Sequence, residues 1–285
     1  MQSLGNSTES SSVFRFRQHN SLLSGAITLA ELIFHNAVRS VRQGHSNAYL
    51  AMAKNMMQIL VFVMVFYLMF QILGLRGSAI RGDFLLYIMS GIFLFMTHIK
   101  TVGAVAGSEG PNSAMMKHAP MNTIVAILSA ALGALYMQVL TLLLILFGYH
   151  VAFKPVEIAD PAGAFGMLML SWFTGFAVGL VFLSIKPWAP MLVGVMTTLY
   201  QRANMIASGK MFVANTLPGY MLAMFDWNPL FHAIDQCRGF VFRNYFPHNS
   251  NWHYSLWLGI ILIMIGLMGE FYTRRHVSAS WYARR

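Results

Sequence analysis

Arg202 is the residue whose position asks for a chemical reason, because it interrupts an uncharged run that extends from Pro187 to Gln201. Counting fourteen residues of helix from Trp188 gives a rise of ~21 Å, which carries Arg202 into the far half of a bilayer. Holding an arginine at the centre of a membrane helix costs about 2.5–3.5 kcal/mol on insertion scales, less where the side chain snorkels outward. Two arrangements would justify that cost. Arg202 faces a conduit and meets an anionic group there, or it pairs internally with Asp226 or Asp235. Either one puts it on the protein interior.

Other side chains could take part in such a conduit. Tyr67, Tyr87, Tyr136, Trp172 and Tyr200 all fall inside apolar runs, and sugar rings stack on aromatic faces. Tyr and Trp are also enriched at membrane interfaces, so packing or a belt explains each one taken singly. The 22 methionines scatter without a repeated paired spacing, which reads as apolar filler rather than copper handling. His232, His248 and His253 read as exposed loop histidines, since no H-E-x-x-H or comparable carboxylate pattern accompanies them. Asp and Glu are missing from the middle of every apolar run, which removes the usual acidic relay of ion-coupled carriers. Ser208-Gly209-Lys210 is not a P-loop, because Met211 follows the lysine and no glycine stands five residues before Gly209. No Ser-His, Asp-Asp or His-Glu set is visible within the spans, which weighs against a membrane-embedded enzyme.

These residues sit in a chain that is 57% hydrophobic and only 10% charged, against about 25% charged in soluble domains. That composition predicts an all-α, multi-pass membrane protein. Residues 1–23 read as a flexible tail and 24–285 as one membrane domain. No basic stretch followed by an apolar run stands at the start, so no cleaved signal peptide is expected. Six spans are expected, over roughly 56–75, 84–100, 123–148, 163–185, 188–208 and 252–270. From Ser24 to Gln43 a helix would put Leu29, Leu32, Ile33, Ala37 and Val41 on one face, with Glu31, His35, Arg39 and Arg42 on the other. Such a helix lies in the interface plane. The second span is slightly short, so its helix is expected to continue past Lys100, and Thr101 to Pro120 reads as a polar break, loosened by Gly103, Gly107, Gly110 and Pro111. Gly175 and Gly179 form a GxxxG pair suited to close helix contact. The formal net charge of +10 falls at the ends of apolar runs, which points to topology and anionic lipids rather than nucleic acid. With both termini in the cytosol, twelve Lys and Arg lie inside and six outside, the remaining one being Arg202.

The stretch from Ser208 to Arg238 is too polar and too broken to span. Pro218 and Pro229 each stop a helix, leaving about two turns between them and a second amphipathic piece after Pro229. The pattern predicts two short helices that dip into the outer face and return before the last span.

Ser208-Gly209, Leu217-Pro218 and Trp227-Asn228-Pro229-Leu230, with Arg238 eight residues after Leu230, resemble the outer-face segment of type-2 ATP-binding-cassette export permeases. The branch most similar exports capsular polysaccharide, O-antigen or polyol phosphate. The likeness in hydropathy and order covers roughly Ala30 to Tyr272. It implies a homodimer with a conduit between the copies, seated on two copies of a separate cytosolic ATPase that binds ATP and magnesium. This chain would itself bind no cofactor or metal and carry no catalytic residue. Asn112 to Pro120 resembles the family's coupling helix, which implies ATPase contacts through Met115, Met116, Lys117 and His118 and, by the interfacial helix, through Arg39 and Arg42. Met121 stands where relatives often carry an arginine. The implied cargo is a lipid-linked polysaccharide crossing a bacterial inner membrane, with periplasmic or outer-membrane export proteins as further partners. The same architecture exporting a drug, lipid or peptide is one alternative, and a membrane enzyme or scaffold is another.

Overall fold

The computed structural model describes residues 30–37, 48–74, 80, 82–108 and 123–276. All regular structure among them is helical. After a helical segment at 30–37 come α1 (Ala48–Ile72), α2 (Phe84–Gly107), α3 (Thr123–Ala152), α4 (Pro161–Ile185) and α5 (Pro190–Ala207). A 3-10 turn at Ala214–Thr216 then precedes α6 (Gly219–Phe225), α7 (Pro229–Val241) and α8 (Trp252–His276). Five helices are long and apolar enough to cross a membrane: α1, α2, α3, α4 and α8. The chain is therefore a multi-pass helical membrane protein. The expected fifth span is the exception, for α5 has 18 residues and carries Gln201, Arg202 and Asn204 in its last two turns.

At the centre of the bundle is α2, buried over most of its length, with α4 packed along it in parallel. Glycine sets their spacing. A Cβ on Gly175 would meet the His98 carbonyl oxygen at 2.7 Å, and one on Gly179 would meet the Val105 Cβ at 2.8 Å. The GxxxG pair is thus a backbone-to-backbone seam, as its spacing predicts. That seam explains how far α2 runs past Lys100. Residues 101–107 continue α2 rather than breaking it, because Thr101, Val102, Val105 and Ala106 are buried, with Thr101, Val102 and Val105 facing the α4 glycines. Packing overrides the weak helix preference of Gly103 and Gly107. Further along, α1 begins eight residues earlier than expected, since Asn55 is buried and donates to Thr141 Oγ1 (2.9 Å) while accepting from Gln138 (3.1 Å) of α3.

On the opposite flank α8 follows α4, and its Thr273 donates to the Ser184 carbonyl (3.0 Å). Two capped starts fix one end of the bundle. Asp83 accepts from Leu85 N, and Asp160 accepts from Ala162 N and Gly163 N, ahead of α2 and α4 respectively. Tyr149 at the end of α3 donates to Asp83 (2.5 Å) and ties a third helix to that end. In the segment at 30–37 only Ile33 is buried, its carbonyl accepting from Ser129, while Leu32 and Phe34 stay exposed.

Candidate functional site: the broken fifth helix and its outer plug

α5 runs antiparallel to α2 and stops short. The chain just after it lies beside the first third of α2, since a Cβ on Gly91 would touch Lys210 at 3.0 Å and Arg238 at 3.1 Å. Gly91 lies about 10 Å along α2 from Phe84. The missing length is filled by α7, which packs against the starts of α2, α4 and α8. Non-helical backbone at such depth needs partners from the protein. Arg238 supplies them. Fully buried on α7, it donates to the carbonyls of Gly209 (3.0 Å), Phe212 (2.6 Å) and Lys210 (2.7 Å), with its guanidinium 4.2 Å from the Tyr87 ring centre.

The rest of the motif converges on the same knot. Gly209 has φ +75°, and a Cβ there would meet the Phe231 ring at 2.6 Å, so both conformation and space require glycine. Asn228 caps α7 by accepting from Leu230 N (3.0 Å) and reaches back to Asn204 Oδ1 (2.9 Å) and the Ala207 carbonyl (2.8 Å). Pro229 occupies the first turn of α7, where its missing N–H is no loss. Ser208 is buried with its hydroxyl unpartnered. Pro218 stands apart, exposed at the start of α6. Lys210 is buried too, donating to the Met205 carbonyl with its ammonium 4.0 Å from the Phe95 ring centre.

Further polar groups lock the same end of the bundle. Asp235 accepts from Tyr245 (2.5 Å) and Ser250 (2.7 Å). Burial, followed by the adjacent carboxylate, holds the Tyr245 phenol well above its ordinary range. His232 departs from the expectation of an exposed loop residue. It is buried, contacts the Asp226 carbonyl through Nε2 (2.7 Å) and accepts from Asn251 N through Nδ1 (3.1 Å). The reason is that α7 turns inward, carrying its histidine with it. His248 and His253 are exposed, and no metal-binding cluster occurs among the described residues.

Arg202 presents a contrast with Arg238. It is exposed on the open side of α5, in a shallow apolar depression with Met191, Val195 and Leu199. No hydrogen bond or ion pair reaches it among the described residues. Asp235 is already held by Tyr245 and Ser250, and Asp226 lies against His232 at 3.4 Å. The internal pairing with either aspartate is therefore not made, and Arg202 lies on the surface of the single chain rather than inside it.

The aromatic candidates do not converge. Tyr200 points into the bundle, within 2.8 Å of His98 Nε2. Trp172 stacks on Phe176 and donates to the Ala131 carbonyl (2.9 Å). Tyr67 packs near Phe84, while Tyr136 is exposed on α3. Met115, Met116, Lys117, His118, Arg39 and Arg42 lie outside the described residues.

His98 is the buried polar centre that sequence reasoning missed. Its Nδ1 lies 3.1 Å from both the Ser171 carbonyl and the Thr174 hydroxyl. Its signal was available, as an ionisable side chain in the heart of the second span. No family model matches the chain, and no curated protein matches it. The fold and site define the class, a multi-pass helical membrane protein with one broken helix.

Proposed function

We propose that the chain is the transmembrane subunit of an ATP-driven exporter that moves a lipid-linked polysaccharide out of the cytosol. The observation that carries this reading is the unpaired Arg202 on the open, apolar side of α5. A charged side chain facing lipid is costly, and the cost is avoided if that side borders a water-filled path or a second copy of the chain. Two copies related by a two-fold axis would bring both α5 faces to one conduit, where each Arg202 meets an anionic sugar or pyrophosphate. In this reading α5 is the fifth of six crossings, completed on the outer side by the re-entrant pair α6 and α7.

Several features support it further. The spans carry no mid-depth Asp or Glu and the chain no P-loop, so the energy comes from a separate subunit. ATP and magnesium bind that ATPase dimer, and the loop containing Met115 to His118 receives its motion. Both termini then face the cytosol of a bacterium whose inner membrane holds the complex. The resemblance of the Ser208-to-Arg238 stretch to polysaccharide exporters supplies the cargo class.

The test is a mild-detergent pull-down of the tagged chain, read by mass spectrometry. A roughly equimolar ATP-binding-cassette ATPase is expected, and it is lost when residues 115–118 are replaced by Gly-Ser. Recovery of the permease alone, under conditions that keep a known exporter intact, overturns the reading in favour of a membrane enzyme or scaffold.

A further inference from the structure

Apart from the bonds of Asn228 to Asn204 and the Ala207 carbonyl at its last turn, little holds α5 to the rest of the chain. Only Val193 and Asn204 are fully buried along it, whereas Met191, Leu192, Val195, Leu199 and Ile206 are exposed. Both its ends are breaks in the helix. Residues 186–189 turn between Ile185 and Pro190 at one end, and Gly209 takes φ +75° at the other. Between those breaks, two side chains reach across to the central α2. Tyr200 meets His98, and Gln201 donates to the Ile99 carbonyl (3.2 Å).

The geometry at His98 fixes who donates. The Ser171 carbonyl can only accept, so Nδ1 carries the proton in the neutral ring. Nε2 then presents a lone pair, and the Tyr200 hydroxyl donates to it at 2.8 Å. Phe182 stands edge-on to Tyr200 at 5.8 Å, so removal of the hydroxyl leaves the ring packed. Two hydroxyls flanking this contact are buried without a partner. Ser171 carries the carbonyl that orients His98, and Thr197 stands one turn before Tyr200 on α5. Elsewhere in these helices Thr97, Thr101 and Thr198 bond back to the carbonyl four residues earlier. Orphaned buried hydroxyls are rare, and Thr197 leaves one on α5 itself, one turn from the Tyr200 contact.

We propose that the Tyr200–His98 hydrogen bond is a latch that holds α5 against the α2–α4 pair, and that α5 turns about its two breaks when it opens. The proposal rests on the exporter reading for what the turning of α5 admits, but not for the latch itself. α5 is then the moving wall and the glycine seam of α2 and α4 the fixed one.

The test uses the full chain in lipid nanodiscs with Cys237 replaced by alanine and spin labels at Val195 of α5 and Ile261 of α8, both exposed. Labelled chain is diluted into unlabelled chain so that distances are read within one copy. Tyr200→Phe is expected to raise the ratio of the second α5 position to the first about tenfold, the worth of one buried hydrogen bond. His98→Gln should do the same, and the double variant should shift no further than either single one, because the two residues act as one unit. A lowered melting temperature with unchanged label distances would make the contact mere packing and overturn the latch, as would fully additive shifts. If no ATPase is recovered with the chain but the labels shift, the exporter reading falls and the latch stands. Export retained with unmoved labels removes the latch alone.

Discussion

Two arginines, thirty-six positions apart, are treated in opposite ways. Arg238 is sealed inside one end of the bundle, where its two terminal nitrogens donate to three backbone carbonyls and its guanidinium lies against an aromatic face, with Nε left unpartnered. Arg202 lies in the open with nothing bonded to it among the described residues. The first is spent on structure: it satisfies backbone that the break of α5 leaves exposed. The second has no structural task in the single chain, which is why it is free for one outside it. A charge in an apolar chain is thus no guide to function until its partners are known.

The comparison is broken most severely at Arg238. Arg238→Ala would orphan the carbonyls of Gly209, Lys210 and Phe212. Unsatisfied buried groups cost about 1–3 kcal/mol each, so a loss on the order of 3 kcal/mol or more is expected. Thermal unfolding in detergent and the yield of folded protein both read it, and an unchanged melting temperature would show that water can replace the guanidinium.

Gly209→Ala probes the same knot more gently. The substitution adds strain at positive φ and a methyl group 2.6 Å from the Phe231 ring, for an expected cost of about 2 kcal/mol. Combined with Phe231→Leu, which frees space, it should recover part of that loss. No recovery would assign the whole penalty to the backbone.

Arg202→Ala is the smallest effect on stability and the sharpest on function. With no contact to lose, it should stay within ±0.5 kcal/mol of the parent chain. Export of the glycan should fall while the melting temperature and ATPase recovery hold. Full export by this variant would remove Arg202 from the mechanism.

The outer segment was readable from the sequence because its punctuation is covalent. Pro218 and Pro229 stop helices wherever they stand, and α6 and α7 begin immediately after Pro218 and at Pro229. What proline cannot say is where a helix goes next. That α7 turns into the bundle depends on Arg238 finding carbonyls twenty-six to twenty-nine residues earlier, a long-range match no local pattern encodes. His232 was misjudged for that reason. The continuation of α2 past Lys100 was legible from its short apolar run, but its full reach was not: Gly103 and Gly107 weaken a helix taken alone, and the packed seam with α4 restores it. The exposure of Arg202 was hidden because distance along a helix gives depth and not direction.

Chain order matters for how such a bundle is built. The polar side of α5 would resist entering lipid alone, but its receivers are made first: His98 and Ile99 precede Tyr200 and Gln201 by about a hundred residues. α5 can be taken up by a docking surface already in the membrane. α7 has receivers of both kinds, for the carbonyls of Gly209, Lys210 and Phe212 that take Arg238 are made before it. The carbonyls of Trp227 and Pro229 are claimed by Tyr254 and Ser255 of α8, which is synthesised later. The knot at Arg238 can thus close as soon as α7 is made, and only its links to α8 await the later helix.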